Sequence, residues 1–242
     1  IGFTANLGDK VIPNIVGVDI GCGMLTVELG KLDIDLVELD NVIHKYIPSG
    51  MKVHEGRIVR FPQLQELHCY RNLKDTKRIE RSIGSLGGGN HFIELDKDEQ
   101  DNLYLVIHSG SRNLGKQVAE HYQNLAIDLC SGKEDYYIKR ERIITEYKAM
   151  GKRKLIEGAL KELKVQYDAL TPSYPKDLCF LTGVYRSQYL HDMNICQEYA
   201  TLNRETMANI ILEKLLGKSL SDFSHFTTIH NYINFKDNII RK

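Results

Sequence analysis

The order of strand-like and helix-like segments places the strongest limit on the fold of this chain. Short strand-like segments and turns fill residues 1–30, and a β-hairpin is predicted over residues 90–108. Helical spacing dominates residues 114–216, and a strand-like tail follows at 226–240. Strands and helices do not alternate regularly. The sequence therefore predicts an α+β fold, with mixed or antiparallel sheets flanked by helices, and not a doubly wound parallel sheet.

Glycine and proline divide these regions into separate elements. Strands are predicted at residues 11–12, 15–18, 25–27, 90–96 and 103–108, helices at 34–47, 114–129 and 186–216, and a charged helical stretch at 134–170 with possible kinks at Gly151 and Gly158. Gly217 follows the longest helical pattern and is predicted to cap it. We expect residues 1–242 to form a single core, incomplete at both ends, with a helical insert at about 133–175.

Composition argues against a membrane-spanning protein and against a disulfide scaffold. The 242 residues include 32 Lys and Arg and 32 Asp and Glu, so any nucleic-acid site must be a local basic patch. No apolar run approaches the ~20 residues that span a bilayer. Five irregularly spaced cysteines, an odd number, indicate a reducing compartment, and we expect a cytoplasmic protein.

The first segment with distinctive chemistry is a turn at residues 19–24, which holds Asp19 and Cys22. An apolar strand is predicted to lead into it, and the glycines on either side of Cys22 allow tight folding and leave both side chains uncovered. A carboxylate and a thiolate three residues apart can reach one metal ion or two neighbouring ones. The alternative is a tight turn around a cysteine that only packs.

The second segment is a glycine-rich loop at residues 84–89, followed by Asn90, His91 and Glu94. Glycine-rich loops expose backbone N–H groups that can hold phosphates. No Gly-Lys-Ser/Thr follows this loop and no helix opens after it, which excludes a P-loop and a dinucleotide-binding fingerprint. The alternative is a flexible entry into the hairpin.

The third segment begins at His108, where the second hairpin strand ends, and continues through Ser109, Ser111 and Arg112 into a helix. Hydroxyl groups, a guanidinium group and a helix N-terminus together form an anion site. The alternative is that Ser109 or Ser111 caps the helix and Arg112 is solvated.

Hairpin geometry relates the second and third segments. If the turn is centred between Glu99 and Gln100, His91 lies opposite His108, with Cβ atoms roughly 5 Å apart. That spacing suits two metal ligands. A slip of one residue would place the two histidines on opposite faces of the sheet.

His230 ends a strand-like segment near the C-terminus, where a lone histidine is more often a hydrogen-bonded core residue. The candidate ligands together are one carboxylate, one thiol and three imidazoles: Asp19, Cys22, His91, His108 and His230. This mixed set suits Mn, Zn or Co. A structural zinc site is not favoured, because no paired CxxC spacing is present.

Five segments in this order resemble the signature segments of the RtcB RNA ligases. They are residues 19–24, 84–92, 108–112, 199–204 and 230–232. The resemblance extends over essentially the whole chain and is weakest at 133–175. It implies an α+β fold with a deep cleft that holds the metals.

The resemblance also implies an activity. The family joins an RNA 3′-phosphate or 2′,3′-cyclic phosphate end to a 5′-hydroxyl end, in tRNA splicing or RNA repair, with GTP and two Mn²⁺ ions. Its metal-ligand positions match Asp19, Cys22, His91, His108 and His230, its guanine-nucleotide positions match Asn90, Glu94, His230 and Asn231, and its phosphate- or RNA-binding positions match Arg112 and Ser109. The expected partners are GTP and RNA, as tRNA halves or cleaved RNA, and we expect a monomer that does not enter a membrane.

The chain departs from the family pattern in one respect that concerns catalysis. The family's guanylylated histidine lies downstream of the segment that matches at His230, and none of the nine histidines here aligns with it. A motif with Asp and His that precedes the first signature segment is also absent. We therefore expect the nucleophilic histidine downstream of Lys242, no catalytic nucleophile within residues 1–242, and no ligation by this chain alone.

Two other functions remain open at this point. A two-metal phosphoesterase or nuclease would use the same ligands, but would give no reason for Asn90, Glu94 and Asn231. A non-catalytic nucleotide- or RNA-binding relative is the other alternative. Strict dependence on GTP would separate the ligase from the phosphoesterase.

Overall fold

The computed structural model describes residues 4–167, 170–234 and 239–241. The strands are β1 (Thr4–Asn6), β2 (Gly23–Gly30), β3 (Phe92–Lys97), β4 (Leu103–Ser109), β5 (Ser224–Ile229), β6 (Tyr232–Asn234) and β7 (Ile239–Arg241). The α-helices are α1 (Pro13–Val16), α2 (Leu36–Tyr46), α3 (Thr76–Arg81), α4 (Arg112–Cys130), α5 (Glu134–Ala149), α6 (Ile156–Tyr167) and α7 (Gly183–Leu216). Short 3₁₀ helices lie at Pro62–Glu66, Tyr70–Asn72, Arg153–Leu155, Lys176–Leu178 and Leu220–Asp222.

The strands form two antiparallel sheets. The larger has the order β3-β4-β2-β5, and the smaller has the order β1-β7-β6. Helices flank them, which confirms the predicted α+β arrangement of antiparallel sheets and helices; the metal-binding cleft stays a prediction. Within the described residues, no helix is both long and apolar enough to cross a membrane.

Helix α7 organises the core, because it contributes to both hydrophobic clusters. Its first half packs with α4, where Tyr122 and Tyr189 are fully buried. Its second half packs on one face of the larger sheet, where Leu25 and Val27 of β2 are buried, two residues apart as the strand period requires. The helix ends where Gly217 adopts a left-handed conformation, φ 66°, as predicted.

Several segment predictions are confirmed and two are wrong. The helices at 34–47, 114–129 and 186–216 and the hairpin are present with shifted ends. The strand predicted at 15–18 is wrong: Pro13 starts helix α1, and the Gly17 N–H donates to the Pro13 carbonyl at 3.1 Å. The strand predicted at 11–12 shrinks to one bridge between Val11 and Leu181.

The charged stretch after α4 forms a pair of helices, α5 and α6. Gly151, with φ 71°, lies at the break between them, as predicted. Gly158 lies inside α6 and does not interrupt it.

The C-terminal tail contains three short strands, β5, β6 and β7. Its residues 235–238 and the last residue, Lys242, lie outside the described residues. The expectation that the nucleophilic histidine lies downstream of Lys242 therefore concerns a region that this structure does not describe, and it stays a prediction.

The hairpin register differs by one residue from the prediction. Phe92, and not His91, pairs with His108, which places the centre of the turn at Gln100. The two histidine rings still meet, with centroids 5.5 Å apart. His91 precedes the first residue of β3, so the alternation of side chains along the strand does not fix its direction.

Candidate metal centre

The strand order brings the candidate ligands to one edge of the larger sheet. Gly23, the first residue of β2, pairs with Ser109 at the end of β4 and with Ile229 at the end of β5. Residues just before β2 therefore meet residues at the ends of both neighbouring strands. Cys22 precedes β2, and His230 follows β5 and donates its backbone N–H to the Cys22 carbonyl at 2.8 Å.

All five predicted ligands converge there, in two overlapping groups. Asp19, Cys22 and His91 form one group, and Cys22, His108 and His230 form the other; in each, the ligand atoms lie within 4.8 Å of one another. The Cys22 Sγ lies 3.2 Å from the His108 Nε2 and 3.5 Å from the His91 Nε2. The His91 Nε2 lies 2.9 Å from the Asp19 Oδ2. A shared thiol between two ligand groups suits two adjacent cations.

Backbone carbonyls orient two of the imidazoles. The His91 Nδ1 lies 3.0 Å from the Leu86 carbonyl, and the His108 Nδ1 lies 3.1 Å from the Asn90 carbonyl. A carbonyl only accepts hydrogen bonds, so each Nδ1 carries the proton. In the neutral ring the Nε2 lone pair then points into the cluster. Histidines that bind metals are oriented in this way.

The donor set fits a divalent cation on chemical grounds. A neutral Nε2, a carboxylate and a thiolate all present lone pairs to the same small space. Such close acceptors repel one another unless protons or a cation lie between them. The residues therefore fit one or two metal ions of the Mn, Zn or Co type.

Burial and neighbouring charges set the protonation of these groups. Burial lowers the pKa of His108 and of His230, which keeps both rings neutral. Burial alone would raise the pKa of Asp19, but hydrogen bonds with His91 and Cys22 lower it below the ordinary value. Burial and the Asp19 carboxylate raise the pKa of Cys22, so metal binding must displace a thiol proton.

Two glycines give other groups room beside these ligands. A Cβ on Gly110 would lie 2.0 Å from the Asp19 Oδ1, which is far too short for a non-bonded contact between carbon and oxygen. A Cβ on Gly87, whose φ is 90°, would lie 1.8 Å from the Arg112 Nη1. The glycine-rich loop therefore allows the Arg112 side chain to pass close to its backbone.

Arg112 and Ser109 occupy well-defined places beside the ligands. Arg112 has a left-handed backbone, φ 56°, and donates from Nε to the Ser85 Oγ at 3.1 Å and from Nη2 to the Gly50 carbonyl at 3.0 Å. Ser109 is buried, and its hydroxyl donates to the Leu86 carbonyl at 2.9 Å. The alternative of a solvated Arg112 beside a serine cap does not hold. Ser111 occupies the N-cap position of α4 without a side-chain cap hydrogen bond.

The three residues expected to contact the guanine nucleotide lie around the cluster. Asn231, with φ 59°, donates from Nδ2 to the Asp19 carbonyl at 3.2 Å. Asn90 is exposed, and its carbonyl holds the His108 ring. Glu94 is exposed on β3. These positions place polar groups beside the ligands, and their role with a nucleotide stays a prediction.

Sequence reasoning assigned no role to Asn203, although it lies in one of the five signature segments. The side chain is fully buried in α7. Its Oδ1 accepts from the Gly84 N–H at 2.8 Å and the Ser85 N–H at 3.1 Å. Its Nδ2 lies 3.1 Å from the Ser109 Oγ and 3.3 Å from the Gly110 carbonyl. Asn203 therefore fixes the glycine-rich loop to the end of β4.

Arg204, the next residue of α7, fixes a second pair of loops and is also fully buried. Its Nη1 donates to the Gly21 carbonyl at 3.0 Å and to the Ser109 carbonyl at 2.8 Å. Asn203 and Arg204 together thus hold the three segments that carry Asp19, Cys22, His91 and His108. A polar pair inside a helical pattern gives no sign of such contacts in the sequence.

A third group, His68, His191 and Asp192, also has ligand-type atoms within 4.8 Å. Its chemistry is that of a structural node. The buried Asp192 carboxylate accepts from the His68 N–H, the Cys69 N–H, the Tyr122 hydroxyl and the His191 Nδ1, at 2.8–3.1 Å. These four donors occupy its acceptor positions. Asp192 therefore joins α4 and α7 to the segment at 68–69.

Fold and site together define an α+β protein with a candidate two-metal centre of thiol, carboxylate and imidazole groups. A family model described as "tRNA-splicing ligase RtcB" matches residues 64–242. This chain therefore belongs to the RtcB family. Asp19 and Cys22 precede the matched segment, but alignment with a curated relative extends over 96% of the chain.

Three curated relatives show the extent of the similarity. RNA-splicing ligase RtcB1 of an Escherichia coli strain is 28% identical, over 96% of this chain and 56% of its own length. RNA-splicing ligase RtcB of Escherichia coli K12 is 33% identical, over 52% of this chain and 36% of its own length. tRNA-splicing ligase RtcB of Nanoarchaeum equitans is 28% identical, over 48% of this chain and 35% of its own length. The chain thus spans about half the length, or less, of the curated relatives it matches.

Proposed function

We propose that this chain supplies the metal centre of a GTP- and Mn²⁺-dependent RNA ligase, which joins 3′-phosphate or 2′,3′-cyclic phosphate ends to 5′-hydroxyl ends. The observation that carries the proposal is the convergence of the five predicted ligands around Cys22. Membership of the RtcB family and the similarity to RNA-splicing ligases support the ligase activity. The proposal covers ligation in either tRNA splicing or RNA repair.

The five ligands would hold two divalent ions, with Cys22 as the shared ligand. Bound ions of this kind stabilise the attacking and leaving oxygens of a displacement at phosphorus. Asp19 and His91 would complete one ion's ligand set, and His108 and His230 the other's. Because the thiol of Cys22 has a raised pKa, occupation of the site requires loss of that proton.

The surrounding residues would orient the two substrates. Asn90, Glu94 and Asn231 carry the amide and carboxylate groups that can pair with the edge of a guanine base. His230 would contact the nucleotide as well as a metal. Arg112 is a guanidinium beside the glycine-rich loop, and with Ser109 it would position a phosphate of the nucleotide or the RNA.

We also propose that the histidine that accepts GMP is not among the nine of this chain and lies downstream of Lys242. Nδ1 of His91 and of His108 is held by backbone carbonyls, and Nε2 of each faces the ligand cluster, so neither ring is available as a nucleophile. On this proposal, ligation requires the protein expressed from the complete reading frame.

The metal centre can be tested on this chain directly. Cys22→Ala should remove at least one Mn²⁺ per chain, measured by elemental analysis after dialysis, because both ligand groups contain Cys22. Cys130→Ala is the matched control, since Cys130 lies at the far end of α4 and should leave the metal content unchanged. Unchanged stoichiometry in Cys22→Ala would show that Cys22 is not a ligand.

The activity can be tested by label transfer and ligation. The protein from the complete reading frame is incubated with α-labelled GTP and Mn²⁺, beside residues 1–242 alone, and then with RNA bearing a 3′-phosphate and a 5′-hydroxyl end. We expect covalent label and joined RNA with the former and neither with the latter. Covalent label on residues 1–242 alone would contradict the placement of the nucleophile downstream of Lys242. Phosphate release or RNA cleavage without any need for GTP would replace the ligase by a two-metal phosphoesterase.

A further inference from the structure

The helical pair after α4 carries a charge distribution that the metal centre does not explain. We call residues 133–167, which contain α5, the 3₁₀ turn and α6, the arm. Helix α5 has no buried residue, and in α6 only Leu163 is buried. Most residues of the arm are exposed or only half-buried, so it contributes little to the core.

The arm concentrates positive charge in a chain whose formal net charge is zero. Between Lys133 and Tyr167 there are ten Lys and Arg and six Asp and Glu, a net charge of +4. The remainder of the chain is correspondingly acidic. A local excess of this kind is what a neutral chain needs if one part of it is to bind a polyanion.

Ion pairs lie along the arm before its tip and leave the tip charged. Lys133 at the base pairs with Asp128, and along α5 Lys139 and Arg142 pair with Asp135 and Glu146. The tip, residues 148–154, has four basic residues, Lys148, Lys152, Arg153 and Lys154, and no acidic one. In the described part of the chain these four side chains have no carboxylate within ion-pair distance, and all four residues are exposed.

Contacts at the base hold the arm to the rest of the molecule. Asp128 of α4 accepts from the Lys133 Nζ at 2.9 Å and from the Tyr137 hydroxyl at 2.8 Å. The Tyr136 and Tyr167 rings meet edge to face, with centroids 5.6 Å apart, and join α5 to α6. Helix α5 has 16 residues, so the tip lies about 24 Å along the helix from this anchored base.

We propose that the tip of the arm binds the phosphate backbone of the RNA substrate. Four exposed cations within seven residues can contact successive phosphates along a nucleic-acid backbone. The contacts carry no base information, so the arm would hold structured RNA without reading its sequence. The choice of RNA as the bound polyanion rests on the proposed ligase function. The positive charge of the tip does not depend on that function.

The test is the salt dependence of RNA binding. The tip variant combines Lys148→Ala, Lys152→Ala, Arg153→Ala and Lys154→Ala, which are all compatible with helix. The probe is a fluorescent stem–loop RNA with a duplex of about 16 base pairs, titrated by anisotropy between about 50 and 200 mM salt. Each lost phosphate contact should reduce the slope of log K against log salt by about 0.7–0.9. We expect a reduction of about 3 and binding at least roughly tenfold weaker at low salt.

The control variant removes four exposed lysines elsewhere, with Lys31→Ala, Lys45→Ala, Lys214→Ala and Lys218→Ala. It should keep the wild-type slope. An unchanged slope in the tip variant, or an equal loss in both variants, would overturn the proposal. So would a tip variant that keeps RNA affinity but loses binding to vesicles of anionic lipid.

The outcome is separable from that of the ligase proposal. The tip variant should retain the wild-type Mn²⁺ content, because none of the four residues belongs to the ligand groups. If the protein from the complete reading frame binds RNA through the tip yet never joins RNA ends, the ligase proposal fails and the RNA-binding arm stands.

Discussion

Asn203→Ala is expected to be among the most damaging single substitutions, because it leaves several buried groups without partners. The Asn203 side chain is fully buried. Its removal takes the acceptor from the Gly84 and Ser85 N–H groups, which lie 2.8 and 3.1 Å from Oδ1. It also takes the donor from the Gly110 carbonyl.

The magnitude follows from the two orphaned N–H groups. Each buried, unpaired N–H costs about 1–3 kcal/mol, which gives about 2–6 kcal/mol for the pair. A water molecule that enters the space would place the loss near the lower end. We therefore expect roughly 3 kcal/mol, which lowers the urea midpoint by about 1 M or more at a slope of about 2–3 kcal/mol/M.

The assay is urea unfolding in the presence of EDTA, with Mn²⁺ affinity as the second readout. Asn203→Asp separates hydrogen bonding from shape: it keeps Oδ1 but turns a second oxygen towards the Ser85 and Gly110 carbonyls, at 3.2 and 3.3 Å. We expect it to be at least as damaging as alanine. Asn194→Ala, on the same helix, removes one exposed i,i+4 contact to Glu198 and should cost no more than about 0.5 kcal/mol. A loss below about 1 kcal/mol in Asn203→Ala would refute the assignment.

Three further outcomes follow from single contacts. Gly110→Ala should weaken Mn²⁺ binding at least tenfold in equilibrium titration, because the new Cβ would meet the Asp19 Oδ1 at 2.0 Å. Tyr122→Phe should cost about 1–2 kcal/mol in urea unfolding, because it removes a buried donor 2.8 Å from the Asp192 Oδ2. Burial lowers the pKa of His108 below 6.5. As the pH falls, this histidine therefore takes up a proton in the unfolded chain before it does so in the folded chain. The metal-free protein should therefore lose stability from about pH 7 to pH 5, measured by urea unfolding at each pH.

Each of these outcomes has a matched control. Gly56→Ala introduces a Cβ with no atom within 4 Å among the described residues and should leave metal binding unchanged. Tyr104→Phe removes a hydroxyl that donates to Asp98 at 3.0 Å on the hairpin surface, and should cost less than Tyr122→Phe. His108→Gln should reduce the loss of stability below pH 7. Equal effects in a variant and its control, or a flat pH profile, would contradict the respective prediction.

The fold class and the convergence of the five candidate ligands could be predicted from the sequence, because the elements that carry them are marked by local signals. Glycines beside Cys22 and before His91 mark the turns, and strand patterns end at His108 and near His230. The hairpin register could not be fixed in this way. The polar turn can be centred at either of two neighbouring points without changing the strand pattern of the sequence. Whether Phe92 or His91 lies opposite His108 therefore depends on tertiary packing.

Long-range contacts account for what sequence reasoning missed. Asn203 and Arg204 bond to segments about 94–183 residues away in the chain. Inside a helical pattern, two polar residues normally indicate the solvated face. Here the helix is surrounded by loops and sheet, so the polar pair is buried and bonds to backbone carbonyls and N–H groups that no local pattern reveals.

The positions of the candidate ligands in the chain would make metal binding and folding interdependent. Asp19 and His230 belong to the same centre although they lie far apart in the sequence, and the segments between them are joined by the buried contacts of Asn203 and Arg204. A metal ion at 100 times its Kd stabilises the folded state by about 2.7 kcal/mol. That gain is close to the loss expected for Asn203→Ala. Excess Mn²⁺ should therefore restore much of the stability of Asn203→Ala, and should stabilise Cys22→Ala less than it stabilises the wild-type chain, because that variant loses at least one ion. Equal stabilisation of Cys22→Ala and the wild-type chain by Mn²⁺ would show that the ions bind somewhere other than the centre that Cys22 joins.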